Sequence, residues 1–305
     1  MSRSAVLSGR IDARDRAKQR RRLDRALRPE LSPYEAIWAW LERSKLDELT
    51  PNGMRRLDLN AYLMRTGEFS LPPAERLRQL AIFVEPSFNA LAHPALDRVY
   101  EAALRYDDAS AELWHSRGIS AKYAAESFED GAQRSKLVAL SRRCLYRAWE
   151  LQPDDAGIAY SMGLWHYFFG EDRDETAEWF ERALRLEPSH GYARLYRAHC
   201  LHDAARWAEA VEAYEAVPLN TFTGPKAWLV DLHLEALAYC RLRAGDRDGS
   251  LAGFDALCTR FEKEPMRMQW LARVYLREAS QGELKVELGA RFNKLIELGK
   301  TLELP

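Results

Sequence analysis

The sequence predicts an all-α chain, a solenoid of stacked antiparallel helix pairs. Three observations carry that prediction. Gly (16) and Pro (13) are sparse for 305 residues, which disfavours strand-and-turn folds whose joints need those residues. No segment sustains a period-2 alternation of apolar and polar residues, so no strand is expected. Finally, one skeleton of bulky and small residues recurs along the chain at a spacing near 34 residues, and such a period marks stacked structural units.

Taken in order, the chain opens with a basic arm over residues 1–30. Residues 1–28 hold ten Lys or Arg against three Asp, a net charge of +7, while the rest of the chain carries −8. Its large apolar residues are few (Val6, Leu7, Ile11, Leu23, Leu27), too few to offset the ordering of the backbone, so a mobile arm is expected. In helical form it would place Arg14, Lys18, Arg21 and Arg25 on one face, with Arg22 beside them.

Residues 31–109 read as a helical N-terminal cap or as degenerate repeats. Ser32-Pro33-Tyr34-Glu35 is a capping box with proline at the first helical position. Further helices are expected near 53–66, 73–84 and 94–106, separated by proline-containing joints at Pro51, Pro72-Pro73 and Pro86. Residues 263–305 carry two apolar stripes. Met268, Leu271 and Tyr275 form one; Leu284, Leu288, Phe292 and Leu295 form the other. Their spacing predicts a closing pair of capping helices.

The repeats occupy 110–262. The skeleton is clearest as Thr176-x3-Phe180-x2-Ala183-x4-Pro188. It appears earlier as Ser141-x3-Leu145-x2-Ala148-x4-Pro153, and later as Ala210-x3-Tyr214-x2-Val217 and Ser250-x3-Phe254-x2-Leu257. A weaker copy is Leu96-x3-Tyr100-x2-Ala103. On the preceding helix of each unit stand Trp114-x3-Gly118, Gly163-x6-Gly170, Ala198-x6-Ala205 and Ala238-x6-Gly245. Small residues let two antiparallel helices approach closely, and the bulky residue opposite fills the space between them. Insertions fall over Glu126–Gln133 and Pro218–Pro225, where loops belong.

In these residues the chain resembles the tetratricopeptide repeat family. Gly118, Gly163, Ala198 and Ala238 match the close-packed position of the family's first helix. Ala148, Ala183 and Ala210 match small positions on its second helix, and Pro153 and Pro188 its terminating prolines. Two departures stand out: only Trp114 occupies the family's tryptophan position, and the last two copies lack the terminal proline. The resemblance implies that first helices line a concave groove. Counted from the small residues, that groove takes in His115, Ile119, Lys122 and Tyr123, then Tyr160, Leu164, Tyr167 and Phe168. It continues with Leu195, His199, His202 and Asp203, then Glu235, Tyr239, Leu242 and Arg243, with Tyr192 one turn earlier. A one-residue shift of register would turn any of these toward the core.

Chemistry motifs are missing: there is no GxSxG, no GxxxxGK[ST], no HExxH, no GxGxxG and no CxxC. No reaction, cofactor or metal is therefore expected. His199-Cys200-x-His202-Asp203 has two imidazoles at helical spacing but lacks a recognisable third ligand. Four cysteines at 144, 200, 240 and 258 show no framework spacing, as in a reduced, cytoplasmic protein. No apolar run is long enough for a membrane span. The expected role is a non-catalytic scaffold holding a protein or peptide segment on Tyr123, Tyr160, Leu164, Tyr167, Phe168, Tyr192, His199, His202 and Tyr239. The alternative is a nucleic-acid-associated protein using Arg14, Lys18, Arg21, Arg22 and Arg25 on phosphates.

Overall fold

The computed structural model describes residues 93–126, 128, 131–170, 172–223, 226–264 and 274–302. The basic arm, the Ser32 capping box and the expected helices at 53–66 and 73–84 lie outside the described residues. Every regular element described is helical: α1 (His93–Leu104), α2 (Ala111–Glu126), α3 (Ala132–Leu151), α4 (Ala156–Phe169), α5 (Arg173–Leu186), α6 (Gly191–Asp203), α7 (Trp207–Glu215), a short 3-10 turn (Leu219–Thr221), α8 (Trp228–Arg243), α9 (Arg247–Lys263), α10 (Val274–Gln281) and α11 (Lys285–Leu302). The fold is all-α.

Local chemistry explains where the helices start. Ser110 Oγ accepts from the Leu113 N–H at the head of α2, and Asp155 accepts from Ile158 N–H at α4. Asp172 accepts from the Asp174 and Glu175 N–H groups at α5, and Asp246 from the Gly249 N–H at α9. Each of these side chains satisfies N–H groups that a helix start leaves without a partner. The ends of α6 and α8 share one device. Ala205 and Gly245 both adopt positive φ (56° and 89°), and their N–H groups return to the His202 and Leu242 carbonyls. The following Arg206 and Asp246 N–H groups return to the Leu201 and Arg241 carbonyls, a Schellman closure at each site. The small residues seven positions after Ala198 and Ala238 are thus helix terminators, and Ala205 performs the task without glycine's freedom.

Contacts divide the chain into two compact units, Met1–Trp165 and His166–Pro305. In the first, α2 and α3 form a pair that packs tightly at Gly118. A Cβ there would sit 2.8 Å from Leu145 Cγ, and Ser141 Oγ donates to the Gly118 carbonyl at 2.8 Å. Arg117 ties α1 to α2 through Asp97 (2.7 Å) and Glu101 (2.8 Å). The second unit holds the pairs α6/α7, α8/α9 and α10/α11, with first helix against first helix (α6 on α8, α8 on α10). Leu195, Ala198, Ala210, Tyr214 and Leu229 make one core layer. Phe254, Leu257 and Phe261 of α9 meet Leu284, Leu288, Phe292 and Leu295 in the next, so the stripe of period 3.6 in α11 is a buried face. Arg291 of α11 clamps α9 through Glu262 (2.9 Å), Thr259 (2.7 Å) and Asp255.

Candidate functional site

The expected groove residues separate into distinct environments. In the first unit, Tyr123 is 50% exposed and carries the Lys122 ammonium 4.7 Å from its ring centre. Lys122 itself is buried and pairs with Glu126 at 2.6 Å, so it is no surface cation. Tyr160 is half-buried. Leu164 is buried, contrary to its expected place in the groove, because α4 is enclosed from Ile158 to His166 on nearly every side. His115 meets Ser161 Oγ at 2.8 Å, and burial lowers its pKa while Asp155 raises it. Asp155 is engaged by the Ile158 N–H and by Gln152, and Ser161 is buried.

In the second unit two aromatic groups flank α6. The first joins Tyr167 and Phe168 at the end of α4 to Tyr196 of α6. Ring centres are 5.3 Å apart for Tyr167–Phe168 and 5.4 Å for Tyr167–Tyr196, both edge-to-face. Tyr196 then stacks on the buried Phe180 at 5.7 Å and meets His199 at 5.5 Å. His199 Nδ1 lies 2.6 Å from the Tyr214 hydroxyl, inside the α6/α7 pair. Tyr167, Phe168, Tyr196 and His199 all keep part of their surface in solvent. Tyr192, one turn before Tyr196, is half-buried against Phe222 at 5.1 Å.

The second group is closed. His202 sits among Trp207 (5.5 Å), Tyr239 (6.0 Å) and Tyr275 (5.0 Å), and Tyr275 stacks on Tyr239 at 4.5 Å. His202 and Tyr239 are consequently buried, Tyr239 to 8% exposure, which corrects their expected place on an open groove. The reason is α10: it lays Tyr275 over the Tyr239 ring, and its Glu278 accepts the Tyr239 hydroxyl at 2.8 Å. Leu195, Leu242 and Glu235 are buried as well. Glu235 Oε1 accepts the Tyr275 and Leu276 N–H groups at 3.0 and 2.9 Å, capping α10 from the neighbouring hairpin. Burial pushes its pKa up to about 8 against the lowering effect of those two bonds.

Asp203, the last residue of α6, links the two groups. Its Oδ2 accepts the Tyr167 hydroxyl at 2.9 Å, and its Oδ1 faces His202 Nδ1 at 3.1 Å. A carboxylate only accepts, so His202 Nδ1 donates to it, while His202 Nε2 is buried with no hydrogen-bond partner. The two histidines of the His-Cys-x-His-Asp run thus serve different neighbours. Among the described residues no three His, Cys, Asp or Glu converge as metal ligands. Burial raises the thiol pKa of Cys144 and Cys258 to about 11, and of Cys200 and Cys240 to about 12. All four are unpaired.

First helices lie against first helices in the second unit, and small residues stand where paired helices come close, Gly118 beside Leu145 and Ala238 beside Gly253. The fold is tetratricopeptide-like. No protein-family model and no curated protein matches the chain. Solved structures to which it is similar include a MamA protein, at 15% identity and TM-score 0.46 over 66% of this chain and 96% of that one. Another is YrrB, described as a TPR protein with an unusual peptide-binding site, at 15% identity and TM-score 0.46 over 70% of this chain and 94% of that one.

Tyr196, Trp207 and Tyr275 were not among the expected groove residues. Tyr196 stands two positions before Ala198, outside the four offsets that define the family's groove, although its spacing of four from Tyr192 is a visible signal.

Proposed function

We propose that the protein is a non-catalytic interaction scaffold that holds a segment of a partner protein on the first-helix face of its second unit. One observation carries the reading: Tyr167, Phe168 and Tyr196 form an edge-to-face aromatic group that keeps accessible surface and ends on a partly accessible carboxylate. Rings with few rotatable bonds and a polar handle are the usual anchors of protein recognition. Thiols whose pKa burial raises and a buried Ser161 support a non-catalytic role. No described helix is long and apolar enough to cross a membrane, and four unpaired thiols suit a reducing compartment such as the cytoplasm. The test is affinity capture from cells that express the protein, comparing wild type with the Tyr167→Ala, Phe168→Ala double variant. The reading predicts a set of proteins retained by wild type and lost by the variant. An identical set from both proteins contradicts it.

A second reading rests on the +7 charge of residues 1–28. Here Arg14, Lys18, Arg21, Arg22 and Arg25 contact phosphates, and affinity falls with salt at a slope of roughly −0.9 per duplex contact. Deleting residues 2–28 should abolish salt-sensitive retention of nucleic acid; retention by the truncated protein rules the arm out as the cause.

A further inference from the structure

Resting on the nucleic-acid reading, we infer that the exposed face of α3 is a phosphate-binding surface on the folded body. α3 carries Arg134, Lys136, Arg142, Arg143 and Arg147 against a single carboxylate, Glu150, in a chain whose residues beyond the arm total −8. Lys136, Arg143 and Arg147 recur at spacings of seven and four, so they share one side of the helix. All three are exposed, and they point away from Ser141 and Leu145, which pack on Gly118 of α2. From Lys136 to Arg147 the row runs about 16 Å along the helix. Phosphates of one duplex strand follow each other about every 3.4 Å along its axis, so the row can meet several of them.

Arg142 borders the row. Its Cζ lies 5.4 Å from the Tyr146 ring centre and 5.5 Å from that of Trp165, and the Trp165 indole is itself fixed by donating to the Val138 carbonyl at 3.2 Å. A guanidinium held on rings keeps its N–H fork for a planar contact with phosphate. Helix stability does not account for these charges. Arg134 stands in the first turn and Glu150 in the last, each at the end of the helix dipole that disfavours it. Pairing does not account for them either. Arg147 has a surface contact with Glu150 at 3.0 Å, whereas Lys136, Arg142 and Arg143 make no ion pair among the described residues. A nucleic-acid strand presents regularly repeated anions to such a row, and the +7 of residues 1–28 supplies a second cationic segment for the same polyanion.

Fluorescence anisotropy of a labelled mixed-sequence DNA duplex, titrated with the full-length protein over a range of salt, tests the inference. Replacing Lys136, Arg142 and Arg143 together by Gln should weaken binding about tenfold or more and reduce the salt slope by roughly 2–3, near 0.9 per lost contact. A control that replaces Lys263, Lys285 and Lys294 by Gln removes the same charge from exposed positions on α9 and α11, and should change affinity less than about twofold. Glu150→Gln releases Arg147 and should tighten binding about two- to threefold. The inference falls while the arm reading stands if deletion of residues 2–28 abolishes binding but the α3 triple variant matches wild type, or weakens binding no more than the control. If wild type shows no salt-dependent binding of the duplex, both fall. Wild type that binds polyglutamate and not the duplex would make the face a site for an acidic protein and overturn both as well. Circular dichroism checks each fold; should the α3 triple variant fail to fold, Glu150→Gln decides, and unchanged or weaker binding overturns the inference.

Discussion

The two aromatic groups flanking α6 are both built around tyrosines and a histidine, yet one is open and one is closed. Tyr167, Phe168 and Tyr196 keep accessible surface, whereas His202 and Tyr239 are shut in by Trp207 and by Tyr275 of the following first helix. Tyr167 and His202 hold the same register, four positions after Gly163 and Ala198. What differs is the neighbour: α10 lays an aromatic ring on Tyr239 and receives a cap from Glu235. Position within a repeat therefore does not by itself make a side chain available for binding; the residue that the next hairpin places opposite decides it.

The contrast can be broken experimentally. The largest effect is expected from Tyr239→Ala, which removes a buried ring stacked on Tyr275 and should cost about 3–5 kcal/mol in denaturant unfolding. Tyr167→Ala should cost clearly less, since its ring is part-exposed. Equal losses would erase the distinction between the groups.

Next in size is the Glu235 cap. Its carboxyl holds a proton in the folded protein up to about pH 8, whereas the unfolded chain releases it near the ordinary glutamate value, about 4.3. Between those limits the unfolded state binds fewer protons, so this group lowers stability as pH rises and contributes no further change above the upper limit. Glu235→Gln keeps an oxygen for the Tyr275 and Leu276 N–H groups without the titration. The stability difference between variant and wild type should grow in the variant's favour from pH 5 to pH 9, by on the order of a few kcal/mol. Comparing the two proteins at each pH cancels the His115 and His233 contributions, whose burial-lowered pKa values act in acid. A flat difference would mean that Glu235 is ionised in its site.

On the open side, the Tyr167→Ala, Phe168→Ala double variant should lose about 2 kcal/mol or more in affinity for a partner segment. Unchanged affinity with an intact fold would place the anchors elsewhere. The smallest effect concerns the ends of α6 and α8. Gly245 accepts its positive φ without strain and Ala205 does not, so Ala205→Gly should raise stability by about 0.5–1 kcal/mol. A lower midpoint would show that glycine's extra unfolded-state entropy outweighs the relieved strain.

Much of the architecture was legible because close helix packing leaves a mark in composition. Gly118 faces Leu145 at 2.8 Å from where a Cβ would lie, the small and bulky partners that the 34-residue pattern identifies. Leu284, Leu288, Phe292 and Leu295 follow the same logic, since one buried face must recur at 3.6 residues. The candidate site was less legible. Tyr167 and Phe168 come directly from register, but the burial of Leu164, His202 and Tyr239 depends on tertiary neighbours that no local pattern encodes. Glu235 is the clearest case: it caps a helix 40 residues further along, whereas cap signals in sequence are sought within a turn of the helix they serve.

The most direct test of the central claim is a photo-reactive residue placed at Phe168 and, as a control, at Val286, which is 93% exposed on α11. Both proteins are irradiated in the cells that express them, and the adducts are sequenced. The account predicts a defined partner polypeptide cross-linked from position 168 and absent at position 286. The same polypeptide captured from position 286 and not from 168 would contradict it.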